Sequence, residues 1–123
     1  MTLTQQITEL LEAKASALVS RSKSMLGELV DENFNYINSV GEVLDRDAYL
    51  SSFCDEDGVK FIKQSSTILR LSDFGEFATA VLKIEDEFVL EGKVWSGSNR
   101  ALSVFAPRGG RLVWCAGQTT AAT

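Results

Sequence analysis

The chain has 123 residues and no histidine, so it lacks the commonest general base, the commonest metal ligand, and any Ser-His or Cys-His nucleophile pair. Chemistry must therefore run on carboxylates, tyrosine, lysine or cysteine. Cys54 stands beside Asp55 and Glu56, whose negative charge raises a thiol pKa. Cys115 shares the parity of Val113 on an outward face, and both cysteines read as structural. Asp86 is the carboxylate that the pattern singles out. It interrupts the even positions Ala78, Ala80, Leu82, Ile84, Phe88 and Leu90, while Thr79, Lys83, Glu85 and Glu87 fill odd ones. A carboxyl on an apolar face is desolvated, which raises its pKa toward the working range of a general base or proton shuttle. The competing reading is a rim carboxylate paired with Lys63 or exposed near Glu91-Gly92.

Tyr36 offers a hydroxyl to a developing oxyanion, or else is a core residue whose hydroxyl reaches a pocket mouth. Asn38, Asn99 and Gln118 either orient a ligand by hydrogen bonds or satisfy one another. Trp95 and Trp114 supply aromatic walls. Arg100 falls on the opposite face with Lys83 and Glu85, as a surface group.

These residues need elements to place them. Leu3, Ile7, Leu10, Leu11 and Leu18, then Met25, Leu26, Leu29 and Val30, recur at helical spacing, with Thr2 or Thr4 as the cap. Ser20 to Ser24 interrupts the stripe, which predicts two helices or one broken one. A strand follows from Phe34 to Asn38, then a turn over Ser39 to Glu42 and a helix capped by Asp45 and ended by the Asp55 to Gly58 cluster. From Val59 onward β-branched and aromatic residues predict four long strands in a meander, with turns at Asp73 to Glu76, at Glu91-Gly92 and at Pro107 to Gly110. Helices first and an antiparallel sheet afterwards is an α+β layout, with one domain over residues 1–123.

Register follows from turn lengths. A two-residue turn at Glu91-Gly92 puts Phe88 opposite Trp95, Asp86 opposite Gly97 and Ile84 opposite Asn99. A four-residue loop at Pro107 to Gly110 puts Ser103 opposite Trp114 and Asn99 opposite Gln118. An even loop at Asp73 brings Leu71, Leu69, Thr67, Ser65 and Lys63 to the same inner face, with Lys63 near Asp86. An apolar floor that turns polar at one end is how small-molecule sites are built. Outer-face Val81, Leu102, Val104 and Val113 form an apolar patch that a second copy would cover.

Composition narrows the partners. Seventeen acidic against twelve scattered basic residues give a net charge of −5, which argues against nucleic acid. No run approaches the roughly 20 apolar residues of a membrane span. The N-terminus lacks a signal-peptide pattern, so a reducing cytoplasmic location is expected.

Asn33 to Asn38 followed by Gly41 to Arg46, then Phe74 to Ala78, then Gly110 to Thr119 resemble the nuclear-transport-factor-two-like superfamily, with its cystatin-like cone. More narrowly they resemble its SnoaL-like, ketosteroid-isomerase-like domains of unknown function. The resemblance covers essentially the whole chain. It implies N-terminal helices packed in the concave face of a curved, mostly antiparallel sheet, a conical pocket, and homodimers through the sheet. Similar proteins include isomerases, dehydratases, epoxide hydrolases and polyketide cyclases, besides many of no known activity. Asn38 and Gln118 stand where similar sequences often carry histidine, and Leu112 where an aromatic is common. The resulting expectation is a binder of a small apolar molecule that needs no cofactor or metal. The alternatives are a cofactor-free isomerase, dehydratase or hydrolase using Asp86 as base, and an interaction or accessory subunit.

Overall fold

In the computed structural model, which describes residues 1–122, the first helix α1 (Leu3–Ser20) starts at a reciprocal cap. The Thr2 hydroxyl accepts from the Gln5 N–H at 3.1 Å, and the Gln5 carboxamide accepts from the Thr2 N–H at 2.8 Å. Thr2, not Thr4, is thus the cap. The serine-rich segment breaks the helix as predicted: Arg21 adopts a left-handed φ of 55°, and the Ser22 hydroxyl caps α2 (Lys23–Leu29).

β1 (Val30–Ile37) begins four residues earlier than the alternation at Phe34 suggests, because Val30 already pairs with Trp114. The Asn38 carboxamide organises the next turn. Its oxygen accepts from the Val40 and Glu42 N–H groups at 3.2 and 2.9 Å, and its nitrogen donates to the Glu42 carboxylate. That turn returns the chain as β2 (Val43–Asp45), a strand too short to show an alternation in sequence. Asp45 then caps α3 (Arg46–Cys54) through the Ala48 N–H, as expected.

Four long strands follow: β3 (Lys60–Asp73), β4 (Ala78–Leu90), β5 (Lys93–Arg108) and β6 (Arg111–Ala121). The sheet order is β2-β1-β6-β5-β4-β3, antiparallel throughout except for the parallel pair β1 with β6. Helices pack on one face of this curved sheet. Ile7, Leu18, Leu26, Phe34, Leu82 and Phe105 are its largest fully buried side chains, each worth about 1.5–3 kcal/mol of burial.

The β4–β5 register is the predicted one, from Leu90 opposite Lys93 to Ile84 opposite Asn99. Glu91 and Gly92 take left-handed φ values of 53° and 76°, the twist that a two-residue hairpin requires. The other two registers differ from expectation. Pro107 lies at the end of β5 opposite Leu112, and the turn is only Gly109-Gly110, both left-handed. Proline is tolerated there because the β4 ladder already ends at Ala78 opposite Phe105, so no strand flanks it on that side. A bulge at Cys115 shifts the pairing again, so that Phe105 faces Trp114 while Val104 faces Ala116. In the β3–β4 pair Leu71 lies on the inner face as predicted, opposite Ala80, but bulges at Leu69 and Ile62 displace the remainder.

Candidate functional site

Each bulge reverses which side chains face the helices, and together they decide the composition of the site. In β3 the inward set becomes Leu71, Ile68, Ser66 and Gln64, then Phe61, so Leu69, Thr67, Ser65 and Lys63 turn outward. In β6 the inward set passes from Leu112 and Trp114 to Gly117 and Thr119, which leaves Gln118 outward and exposed opposite Leu102.

A cavity of about 260 Å³ opens between the helices and the inner face of the sheet. Its apolar walls are Leu18, Tyr49, Phe53, Val59, Phe61, Ile84 and Phe88. Its polar groups are Lys14, Tyr36, Asn38, Ser39, Gln64, Asp86, Asn99 and Thr119. Gly97, opposite Asp86, lines it without a side chain and so keeps space in front of the carboxylate.

The structure brings Asp86, Tyr36, Asn38 and Asn99 to this one cavity. Asp86 accepts a hydrogen bond from the Gln64 carboxamide at 2.9 Å. Burial raises its pKa above the ordinary carboxylate value, opposed by the Gln64 hydrogen bond and the positive charge of Lys14. The Tyr36 hydroxyl bonds to the Thr119 hydroxyl at 2.5 Å, and burial raises its pKa as well. Asn38 reaches the cavity mouth with its oxygen committed to the β1–β2 turn. Among the described residues the Asn99 carboxamide has no hydrogen-bond partner, so it faces the cavity available to a ligand.

Four other expected residues lie elsewhere. Lys63 is on the outer face because of the β3 bulge, next to Glu87 rather than Asp86. Gln118 is outward because of the β6 bulge. Trp95 pairs with Phe88 as expected but is 49% exposed and does not line the cavity. Trp114 is 3% exposed and is core rather than wall. It packs edge-on to Phe34, Tyr49 and Tyr36 at centroid distances of 4.7, 5.3 and 5.8 Å.

Lys14 escaped the sequence reading although a signal was present. It falls on the buried stripe of α1, Ile7, Leu10, Leu11, Lys14, Ala17 and Leu18, at a spacing where a surface helix carries no charge. The residue is 5% exposed, and its ammonium lies 4.8 Å from the centroid of the Trp114 ring. Burial lowers its pKa to about 8, against the pull of the Asp86 carboxylate. Gln64 and Thr119 carried no comparable signal, since only bulges turn them inward.

Both thiols are free and half-buried, with pKa values raised by burial. Among the described residues no group of three or more Cys, Asp or Glu side chains converges as a metal would require. No helix is long and apolar enough to cross a membrane.

No family model matches the chain, and no curated protein matches its sequence. Solved structures match closely. An NTF2-like protein from Cytophaga hutchinsonii has a TM-score of 0.89 at 15% identity, covering 99% of this chain and 100% of that one. A protein from Exiguobacterium sibiricum, described as a Ca/calmodulin-dependent kinase II association domain, has a TM-score of 0.88 at 21% identity, covering 100% and 95%. A hexachlorocyclohexane dehydrochlorinase, LinA type 2, has a TM-score of 0.79 at 9% identity, covering 98% and 85%. The chain therefore has the NTF2-like fold, a cystatin-like architecture. At these identities the likeness is one of fold, and function must be argued from the site.

Proposed function

We propose that the cavity binds a small, mostly apolar molecule bearing one polar group. The observation that carries this reading is the make-up of the cavity: a lining of aromatic and aliphatic side chains among which a few polar groups, Asp86, Tyr36, Asn99 and Lys14, also face the space. At roughly 30 Å³ per water, 260 Å³ equals about nine waters, which suits a single ring rather than a steroid. The test is a thermal-shift screen of cyclic alcohols, ketones and carboxylic acids on wild type and Asp86→Asn. A ligand at about 100 times its Kd adds roughly 2.7 kcal/mol. Shifts that differ between the two proteins are expected, and a library that moves neither refutes the reading.

One observation favours an enzymatic reading beside it. Asp86 with a raised pKa and Lys14 with a lowered one face a single cavity, and titratable groups displaced toward working pH are what acid–base chemistry uses. In that reading Asp86 is the general base of a cofactor-free isomerase, dehydratase or hydrolase, with Tyr36 and Asn99 as donors. The dehydrochlorinase of the same fold acts, by its name, on a small apolar ring compound. Turnover lost in Asp86→Asn with binding retained supports it. The association domain of the same fold keeps an accessory-subunit role as the outcome expected if no ligand binds.

For the outer face we propose a second copy as partner. Leu102 is 50% exposed, with Val81 and Val104 half-buried beside it, whereas Val113 is already buried within the chain and drops out of the patch. Sedimentation at monomer mass would refute this. The two free thiols suit a reducing, cytoplasmic location.

A further inference from the structure

The binding reading leaves one group unexplained: an amine that the fold buries against an aromatic ring without a hydrogen bond or a carboxylate in contact. Lys14 is 5% exposed, and among the described residues its nitrogen makes no hydrogen bond and no ion pair. Asp86 acts on it through space rather than by contact. Trp114 supports it from one side, and the cavity lies on the other. A lysine retained only for its charge would sit against a carboxylate, and one retained for packing would keep its nitrogen in water. An amine desolvated and aimed into an apolar cavity is instead placed as a nucleophile.

We propose that Lys14 forms an imine with aldehydes or ketones small enough to enter the cavity, so that the site takes carbonyl compounds covalently. The proposal rests on the cavity admitting small molecules and adds the substrate class. In the first step the neutral amine forms a bond to the carbonyl carbon, and the carbonyl π pair moves to oxygen, which takes up a proton. The carbinolamine then loses its hydroxyl as water while nitrogen gives up its second proton. Both amine protons leave with the carbonyl oxygen, so nothing is oxidised or reduced. Asp86, facing the same space, accepts a proton from nitrogen and returns it to the departing hydroxyl, and the Asn99 carboxamide and Tyr36 hydroxyl hydrogen-bond to the oxygen during the addition.

Burial holds the amine at a pKa of about 8, so half of it is neutral at that pH. A free lysine near 10.4 is less than about 1% neutral there. The titratable groups facing Lys14 are Asp86 on β4, Tyr36 on β1 and Tyr49 on α3. Burial lifts both phenols, so they stay neutral through this range. The polar side chains that β3 and β6 turn to the cavity, Gln64 and Thr119, do not titrate, and the buried residues of α2, Leu26 and Gly27, carry no ionisable group.

The experiment treats the full chain with benzaldehyde and cyanoborohydride, then locates the reduced adduct by peptide mapping. Benzyl alcohol, which has the same ring and cannot form an imine, is titrated in parallel by thermal shift. The expected result is an adduct on Lys14 formed about ten-fold or more faster than on Lys23, Lys60, Lys63, Lys83 or Lys93. Its rate rises with a midpoint below the ~10.4 of a free lysine. Asp86→Asn moves that midpoint down, because the charge favouring the ammonium is gone. Lys14→Met abolishes the fast adduct and leaves the slow surface labelling. Benzyl alcohol binding without a Lys14 adduct overturns the imine and leaves the cavity reading standing. Neither binding nor adduct overturns both, and labelling of Lys14 no faster than the surface lysines overturns the imine whatever the alcohol does.

Discussion

Replacing Lys14 by methionine keeps an unbranched side chain one atom shorter and removes the buried charge, and the structure fixes both the sign and the size of the effect. Lys14 titrates near 10.5 when unfolded and near 8 when folded. Below pH 8 the fold must carry an ammonium that water would hold better, which costs roughly 3 kcal/mol at 1.36 kcal/mol per pH unit. Between the two values the unfolded chain binds more protons than the folded one, so stability rises with pH. By pH 10 most of the cost is relieved, a gain of roughly 2 kcal/mol over pH 7.5. The Trp114 ring face stabilises the ammonium by about 2 kcal/mol at most, so the gain narrows to roughly 1 to 2 kcal/mol. Urea unfolding of wild type and Lys14→Met at half-unit steps from pH 7.5 to 10 reads this difference directly. The range stops at 10 because Tyr36 and Tyr49, whose pKa values are raised, lose stability as they ionise above it. The variant is expected to be the more stable protein at pH 7.5, with the gap closing toward pH 10. Parallel curves would show that Lys14 keeps its nitrogen in water, and the account of the site would fail with it.

Asp86 has the opposite linkage. Its raised pKa means that the charged form destabilises the fold, so wild type gains on Asp86→Asn as pH falls from neutral through the folded pKa toward 4, measured by the same unfolding. Tyr36→Phe removes the bond to Thr119 and should cost about 1 kcal/mol, read as a lower urea midpoint at unchanged slope; an unmoved midpoint would mean that the bond is not formed in solution. Gly117→Ala places a methyl 2.8 Å from the Trp114 ring, which Phe34 and Tyr49 hold from other sides. The crowding should cost about 1–3 kcal/mol, and a neutral effect would show that the indole can move aside.

The parts of the site that were legible in sequence are those that a single strand or hairpin settles. Asp86 on the inner face of β4 follows from alternation alone, and Asn99 beside Ile84 follows from a two-residue turn whose left-handed residues leave no other pairing. Lys63 and Gln118 were misplaced by the bulges at Leu69 and Cys115, since one extra residue inverts every position beyond it. A bulge has no reliable residue signature here, because Leu69 and Cys115 are ordinary strand residues. Lys14 differs from these. Its place on the stripe of α1 was visible in sequence, but a lysine at such a position most often reaches solvent, and only the packed sheet shows that this one does not.

Local chemistry therefore determined the elements: the threonine, serine and aspartate caps, the glycine turns, the two helical stripes, and strands whose alternation marks their inner face. Each is a short-range preference of the backbone and needs no distant partner. What tertiary structure decided was the meeting of those faces. The parallel seating of β1 on β6 sets Tyr36 against Thr119, the bulges turn Gln64 toward Asp86, and the closure of α1 over the sheet strands an amine above Trp114. These outcomes rest on register and on burial, which are properties of the assembled sheet rather than of any one strand.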